Sequence, residues 1–345
     1  MNVLRCLSLV VAATMLSGCS FLMGQEDTSR VDAVTQDELT ERKRIYRAVS
    51  SAVQANDTKR LSSLAATLLA SRGRTPSGNW LSGVFHSAIQ FEIEKGMKRE
   101  TGCVSPREPL VRKWLASDPD SPAAIITAAH HEIRRGWCHR GGGHANTVTD
   151  AGWKNFYGFA GAGHQLLVEN HAVASVDPEF YAIMVDAYRA LNMSRSRLNS
   201  LLDEATDREP YYLRTYFNAS HSYLPQWGGS LEELDSFARY AAWRTRRSDG
   251  MGFYYRIYWY LGECNCSAEK LRGDREDTLE AMRDIYERYP VPFNASHMQQ
   301  VSCEAGDRDE ALHYMRALHP EALGDGDFVA MLAKCVHDAV FWASR

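Results

Sequence analysis

The sequence predicts an all-α protein, an α-solenoid of stacked helical hairpins, and three observations predict it. From residue 37 onward, apolar residues recur at three- and four-residue spacing. No stretch alternates apolar and polar residues over the length of a half-buried strand, and no β-branched run suggests a parallel sheet. Asx-Pro and glycine-containing turns separate periodic stretches of similar length. Small residues fall where neighbouring helices would touch, as in stacked antiparallel pairs.

In chain order, residues 37–55 place Leu39, Ile45, Tyr46, Val49 and Val53 on roughly one face. Asp57 caps the next helix, which turns Leu61, Leu64, Ala65, Leu68 and Leu69 inward. Residues 79–97 carry Trp80, Val84, Phe85, Ala88, Ile89 and Ile93. A short helix opens at Pro106 and runs through residue 115, and the Pro-rich turn at 118–122 ends it. There Ser121 is a cap, and Pro122 takes the first helical position, where a missing N–H is harmless. That helix reaches Trp137. Beyond Gly141-Gly142-Gly143, one helix is expected over 150–174, and Asp177-Pro178 starts another with Phe180, Ile183, Met184, Ala187, Tyr188 and Leu191 aligned. Further helices are expected over 195–205, 210–222, 231–246, 252–261, 275–289, 293–303, 308–318 and 325–343. Asp120-Ser121-Pro122-Ala123-Ala124, followed by Ala128-Ala129, resembles the loop and helix start of tetratricopeptide-like repeats, in a degenerate form without a fixed period.

At 345 residues, 45% hydrophobic and 24% charged, the chain can build a substantial core. Its net charge of -4 and the lack of a long basic run argue against nucleic-acid binding. Arg5 precedes a short apolar run over 7–16, which ends at Leu16-Ser17-Gly18-Cys19. The run is too short to span a bilayer and reads as a cleaved export signal. It resembles the bacterial lipoprotein signal. That resemblance implies cleavage before Cys19, lipid on its sulfur and acylation of the new amino terminus, and several acyl chains anchor stably. Ser20, not Asp, follows the cysteine, which by resemblance to Gram-negative lipoproteins implies the outer membrane. The expected organisation is therefore a signal peptide over 1–18, a polar tether over 19–35 and a helical body over 36–345.

Cys103, Cys138, Cys264, Cys266, Cys303 and Cys335 remain for an oxidising compartment. In stacked hairpins alternate helices end at the same edge, so Cys103 is expected to bridge Cys138. By the same logic Cys303 is expected to pair with Cys264 or Cys266. The alternative use of these residue types is a metal site, with Cys138, His139, His144 and His131 as ligands around the glycine loop. Arg135 stands where a His-Glu-x-x-His motif starting at His131 needs its second histidine, so that motif is broken. No phosphate-cradling loop, nucleophile elbow or dinucleotide fingerprint appears, and no cofactor is implied.

Residues 211–260 hold 15 aromatics in 50 positions around the loop Tyr223-Leu224-Pro225-Gln226-Trp227-Gly228-Gly229-Ser230. Ser230 should cap the following helix, with Glu233 as its capping-box partner. The bland reading of the stretch is core packing. The sharper one is a groove lined by Tyr212, Tyr216, Trp227, Tyr254 and Tyr258 that accepts a peptide or glycan. This loop and Trp137-Cys138-His139-Arg140-Gly141 together resemble an uncharacterised family of bacterial helical domains over roughly residues 100–265. The resemblance implies the fold and supplies no activity. The expected function is an envelope lipoprotein that acts as a scaffold or adaptor for a protein or peptide partner, the alternative being a metal-dependent envelope hydrolase.

Overall fold

The computed structural model describes residues 38–263, 273–304 and 307–318. The expected signal, Cys19, the tether, Cys264, Cys266, Cys335 and the helix expected over 325–343 lie outside them. Among the described residues there are fifteen α-helices and no strand: α1 (Glu38–Gln54), α2 (Thr58–Ser71), α3 (Leu81–Glu94), α4 (Glu108–Ser117), α5 (Pro122–Arg140), α6 (Asp150–Glu169), α7 (His171–Ala174), α8 (Glu179–Ala190), α9 (Arg195–Arg208), α10 (Leu213–Ser220), α11 (Leu231–Asp249), α12 (Gly252–Glu263), α13 (Arg275–Arg288), α14 (Pro292–Glu304) and α15 (Arg308–Leu318).

The helix starts are set locally. Asp57, Ser121 and Ser230 each accept a backbone N–H three residues on, at 3.0, 3.3 and 3.2 Å, which satisfies a donor the helix itself leaves open. Two boundaries differ from expectation. The helix expected over 150–174 breaks at Asn170, whose side-chain amide donates to the Leu166 carbonyl at 2.9 Å and closes α6. The helix expected over 210–222 starts at Leu213 and tightens into a 3-10 turn, His221–Tyr223. There the Tyr216 hydroxyl donates to the Pro210 carbonyl, and Pro225 follows.

Most helices pack on a neighbour in the chain, as α1 does on α2, α4 on α5, α11 on α12 and α14 on α15. In addition α3, α5, α8, α10 and α12 contact one another in that order. The tightest pair is α5 with α6. A Cβ on Gly163 would stand 2.6 Å from the Ala129 carbonyl oxygen, so only glycine lets these backbones approach. α5 lies between two cores. Ala123, Ala124 and Ala128 face the first, with Ile45, Val49, Leu61, Phe85 and Trp114. Ile125, Ile126, Ala129 and Ile133 face the second, with Phe180, Tyr216, Phe253 and Ile257. Burial on opposite sides explains why Pro122-Ala123-Ala124-Ile125-Ile126 reads as apolar all round.

One turn stitches distant parts together. Arg74 and Trp80 form an isolated antiparallel bridge around it. The Ser77 N–H donates to the Glu38 carboxylate at 2.9 Å, and the Ser77 carbonyl accepts from Arg256 at 2.7 Å. The Trp80 indole donates to the Tyr211 carbonyl at 2.8 Å.

Candidate functional site

α3 is apolar on the sides that carry Phe85, Ile89 and Ile93, yet it presents His86, Ser87, Gln90 and Glu94 at helical spacing on another face. Polar residues on a helix buried between neighbours need partners, and these find them on α5, on α10 and at the start of α8 with the turn just before it. Glu179, at the start of α8, is fully buried. Its carboxylate accepts from Arg214 Nε and Nη2 at 2.7 Å each, from the Tyr212 hydroxyl at 2.7 Å and from the Gln90 amide at 2.8 Å. Arg214 also donates to the Gln90 carbonyl oxygen at 2.9 Å and to the Ser87 hydroxyl. Next to this, His86 Nε2 lies 2.8 Å from Asp177 Oδ2, with both side chains buried, while Asp177 Oδ1 accepts the Glu179 N–H.

The polar seam continues along α3, α5 and α8 toward solvent. Glu94 pairs with His130 Nε2 and with Arg134 Nη2, both at 2.9 Å. Asp186, two turns beyond Glu179, accepts from Arg189 at 3.0 Å and from the Asn218 amide at 3.1 Å. His221 meets the Tyr260 hydroxyl at 3.1 Å.

The charges in the seam are pulled in different directions. Burial pushes the Asp186 carboxyl above its ordinary range against the pull of Arg189, His130 and Arg134. Burial also acts to raise Glu94, but the His130 hydrogen bond and Arg134 outweigh it and hold that carboxyl low. His221 is pushed down to about 3, by burial first and then by Arg189, and is neutral at ordinary pH. For Glu179, burial is opposed and outweighed by Arg214 and His86, which keep it ionised; for His86, burial is outweighed by Asp177, which raises the imidazole.

These two shifts set a pH response. Glu179 contributes stability that is present above its ordinary value of 4.5 and lost as pH falls through its lowered folded value. His86 contributes stability that is present below 6.5 and lost as pH rises through its raised folded value. Urea midpoints of the wild type should therefore fall as pH rises above 6.5, and a His86→Gln variant should lose that component. An identical decline in both proteins would mean that His86 is not its source.

The sequence-expected residues land differently. Tyr212, Tyr216 and Tyr254 are no more than 1% exposed and Tyr258 is 9% exposed, so they are core and offer no groove wall. Their hydroxyls are used internally. Tyr254 and Tyr258 both donate to Asp235, and Tyr212 donates to Glu179. For Tyr254 and Tyr258 the reason is the all-round apolar character of α12, which sits between α10, α11 and α13. Trp227 is half-buried. Its ring meets Trp137 edge-on at 5.6 Å, and the Arg189 guanidinium lies 5.5 Å from Trp227 and 5.7 Å from Trp137. The two sequence motifs thus touch, through an arginine at the end of the seam.

Cys103 and Cys138 form the expected disulfide, with Cα atoms 5.7 Å apart. The bridge removes the Cys138 thiolate from any metal set. His139 stacks on Phe159 at 5.3 Å, His131 contacts Glu132 at 3.2 Å, and His144 is exposed. No cluster of ligands suited to a metal occurs among the described residues. The second expected bridge, from Cys303 to Cys264 or Cys266, involves positions outside the described residues. Comparisons of the chain with protein-family models, curated proteins and solved structures return no match.

Proposed function

We propose that this protein is a lipoprotein of the bacterial cell envelope, held in the outer membrane through Cys19. Its helical body is a tetratricopeptide-like stack of hairpins and serves as a scaffold or adaptor for another envelope protein or peptide. The observation that carries the reading is the polar seam across α3, α5, α8, α10 and α12. Buried ion pairs contribute little net stability compared with apolar packing, and shifted charges at a partly open face are a feature of binding and catalytic sites. The seam is closed at Glu179 and opens outward, where the Arg134 side chain is 43% exposed and Glu94 is 33% exposed. Guanidinium and carboxylate groups set on a rigid helical frame suit the mixed donors and acceptors of a polypeptide.

Crosslinking of the lipidated protein in its own membranes tests both parts. Cys19→Ser should move the protein out of the membrane fraction; retention there would remove the lipid anchor. Arg134→Gln, which removes the cation without placing a second carboxylate beside Glu94, should lose a specific crosslinked protein while the chain stays folded, with a melt recording the modest stability loss separately. A partner kept by that variant would place the surface elsewhere, and a wild type that captures no protein would end the adaptor reading.

A further inference from the structure

Away from the seam, α9 and α11 diverge beside Tyr223 and leave a cleft of about 510 Å3. That is the size range of sites that take a small group or one or two side chains. Its floor is apolar, because the Tyr223 and Phe237 rings stack at 4.4 Å and both residues are buried. Its rim is acidic. Asp203 from α9 and Glu232 and Glu233 from α11 line it, against one cation, Arg195.

That cation is already committed. The Arg195 guanidinium lies 4.3 Å from the centre of the Tyr223 ring, donates to the Ser222 carbonyl at 2.9 Å and stands 3.9 Å from Glu233. Neither Asp203 nor Glu232 forms a salt bridge among the described residues, and both are exposed. An apolar floor with carboxylates above it that have no cation partner, Glu232 being held only by its own backbone N–H and the Ser230 hydroxyl, matches a cation carried on an apolar stem, which is the chemistry of a lysine or arginine side chain.

We propose that this cleft binds a lysine or arginine side chain of a partner polypeptide, with its methylene stem on the edges of Tyr223 and Phe237 and its cation toward Asp203 and Glu232. It is a second binding site, independent of the seam and of the adaptor reading. Specificity comes from the cavity. The acidic rim supplies attraction, and the apolar floor excludes small inorganic cations that cannot fill it.

The test is an equilibrium titration of the full chain with amidated trilysine at low ionic strength, with trinorleucine as the uncharged probe. Saturable binding of trilysine and none of trinorleucine is expected. An Asp203→Asn/Glu232→Gln variant should bind trilysine roughly tenfold more weakly, the effect of losing close charge partners. It should melt like the wild type, because both side chains are exposed. The charge-matched control Asp120→Asn/Glu287→Gln, also at exposed positions, should bind as the wild type does. Non-saturable binding, or an equal loss in both variants, would reduce the effect to general attraction by an acidic chain and overturn the proposal.

Discussion

Replacement of Arg214 by alanine is expected to lower folding stability by about 3–5 kcal/mol, the usual effect of leaving a buried charge without its partner. The arginine is itself a quarter exposed, so its own desolvation is partial; Glu179 is fully enclosed. Without the guanidinium, Glu179 keeps the Tyr212 hydroxyl and the Gln90 amide, which are neutral donors and cannot offset a full charge. The stability loss should therefore depend on that charge. In a Glu179→Gln background the same Arg214→Ala change should cost much less, on the order of 1–2 kcal/mol, because an amide left with two partners is far less penalised. Urea denaturation of the four proteins of this cycle measures the coupling directly. Equal effects of Arg214→Ala in both backgrounds would show that packing of the arginine stem, not charge pairing, is what it supplies.

Removal of the Cys103–Cys138 bridge is expected to cost about 3–4 kcal/mol, the chain-entropy value for a closed loop of this size. The bridge closes a sequence separation of 35 residues and ties the turn after α3 to the last turn of α5. The same junction is held by Arg99, which donates to the His139 carbonyl at 2.6 Å. That contact is exposed and should compensate little. Denaturant midpoints of a Cys103→Ser/Cys138→Ser variant should coincide with those of the wild type under reducing conditions, provided the comparison is corrected for any other bridge that the reductant opens. A variant as stable as the oxidised wild type would mean that the loop is ordered without the bridge. Because Trp137 precedes Cys138 and meets Trp227, near-ultraviolet circular dichroism of the variant should also report loosening there.

The helical class and most helix boundaries were legible because their causes are local. Periodicity, the caps at Asp57, Ser121 and Ser230, and Pro122 at a first helical position act within a few residues. The Cys103–Cys138 bridge was legible because each cysteine lies at or just beyond the end of one of two helices separated by a single helix in the chain, and α3 and α5 do pack on each other. The seam was not. Asp177 and Glu179 look like helix-start residues, and Arg214 looks like one more surface arginine; nothing local says that they converge. One signal was available. His86, Gln90 and Glu94 recur at four-residue spacing inside an otherwise apolar helix, and such residues must be satisfied by something. The aromatic stretch misleads for the opposite reason. Tyrosine suits both a wet groove and a core with internal acceptors, and only the position of Asp235 and Glu179 decides between them.

The turn around Ser77 carries a consequence for the order in which the protein is completed. Its indole and carbonyl partners lie 131 and 179 residues further along the chain. A chain emerging from its amino terminus can wind α1, α2 and α3 early, but the Ser77 carbonyl has no protein donor until Arg256 arrives. The first quarter of the molecule is therefore left unfinished until the third quarter has been made. Contacts of such long span are the slow ones to form, because the intervening chain must first be ordered. Helices α1 to α3 are thus made well before α12 and are locked in place only with it.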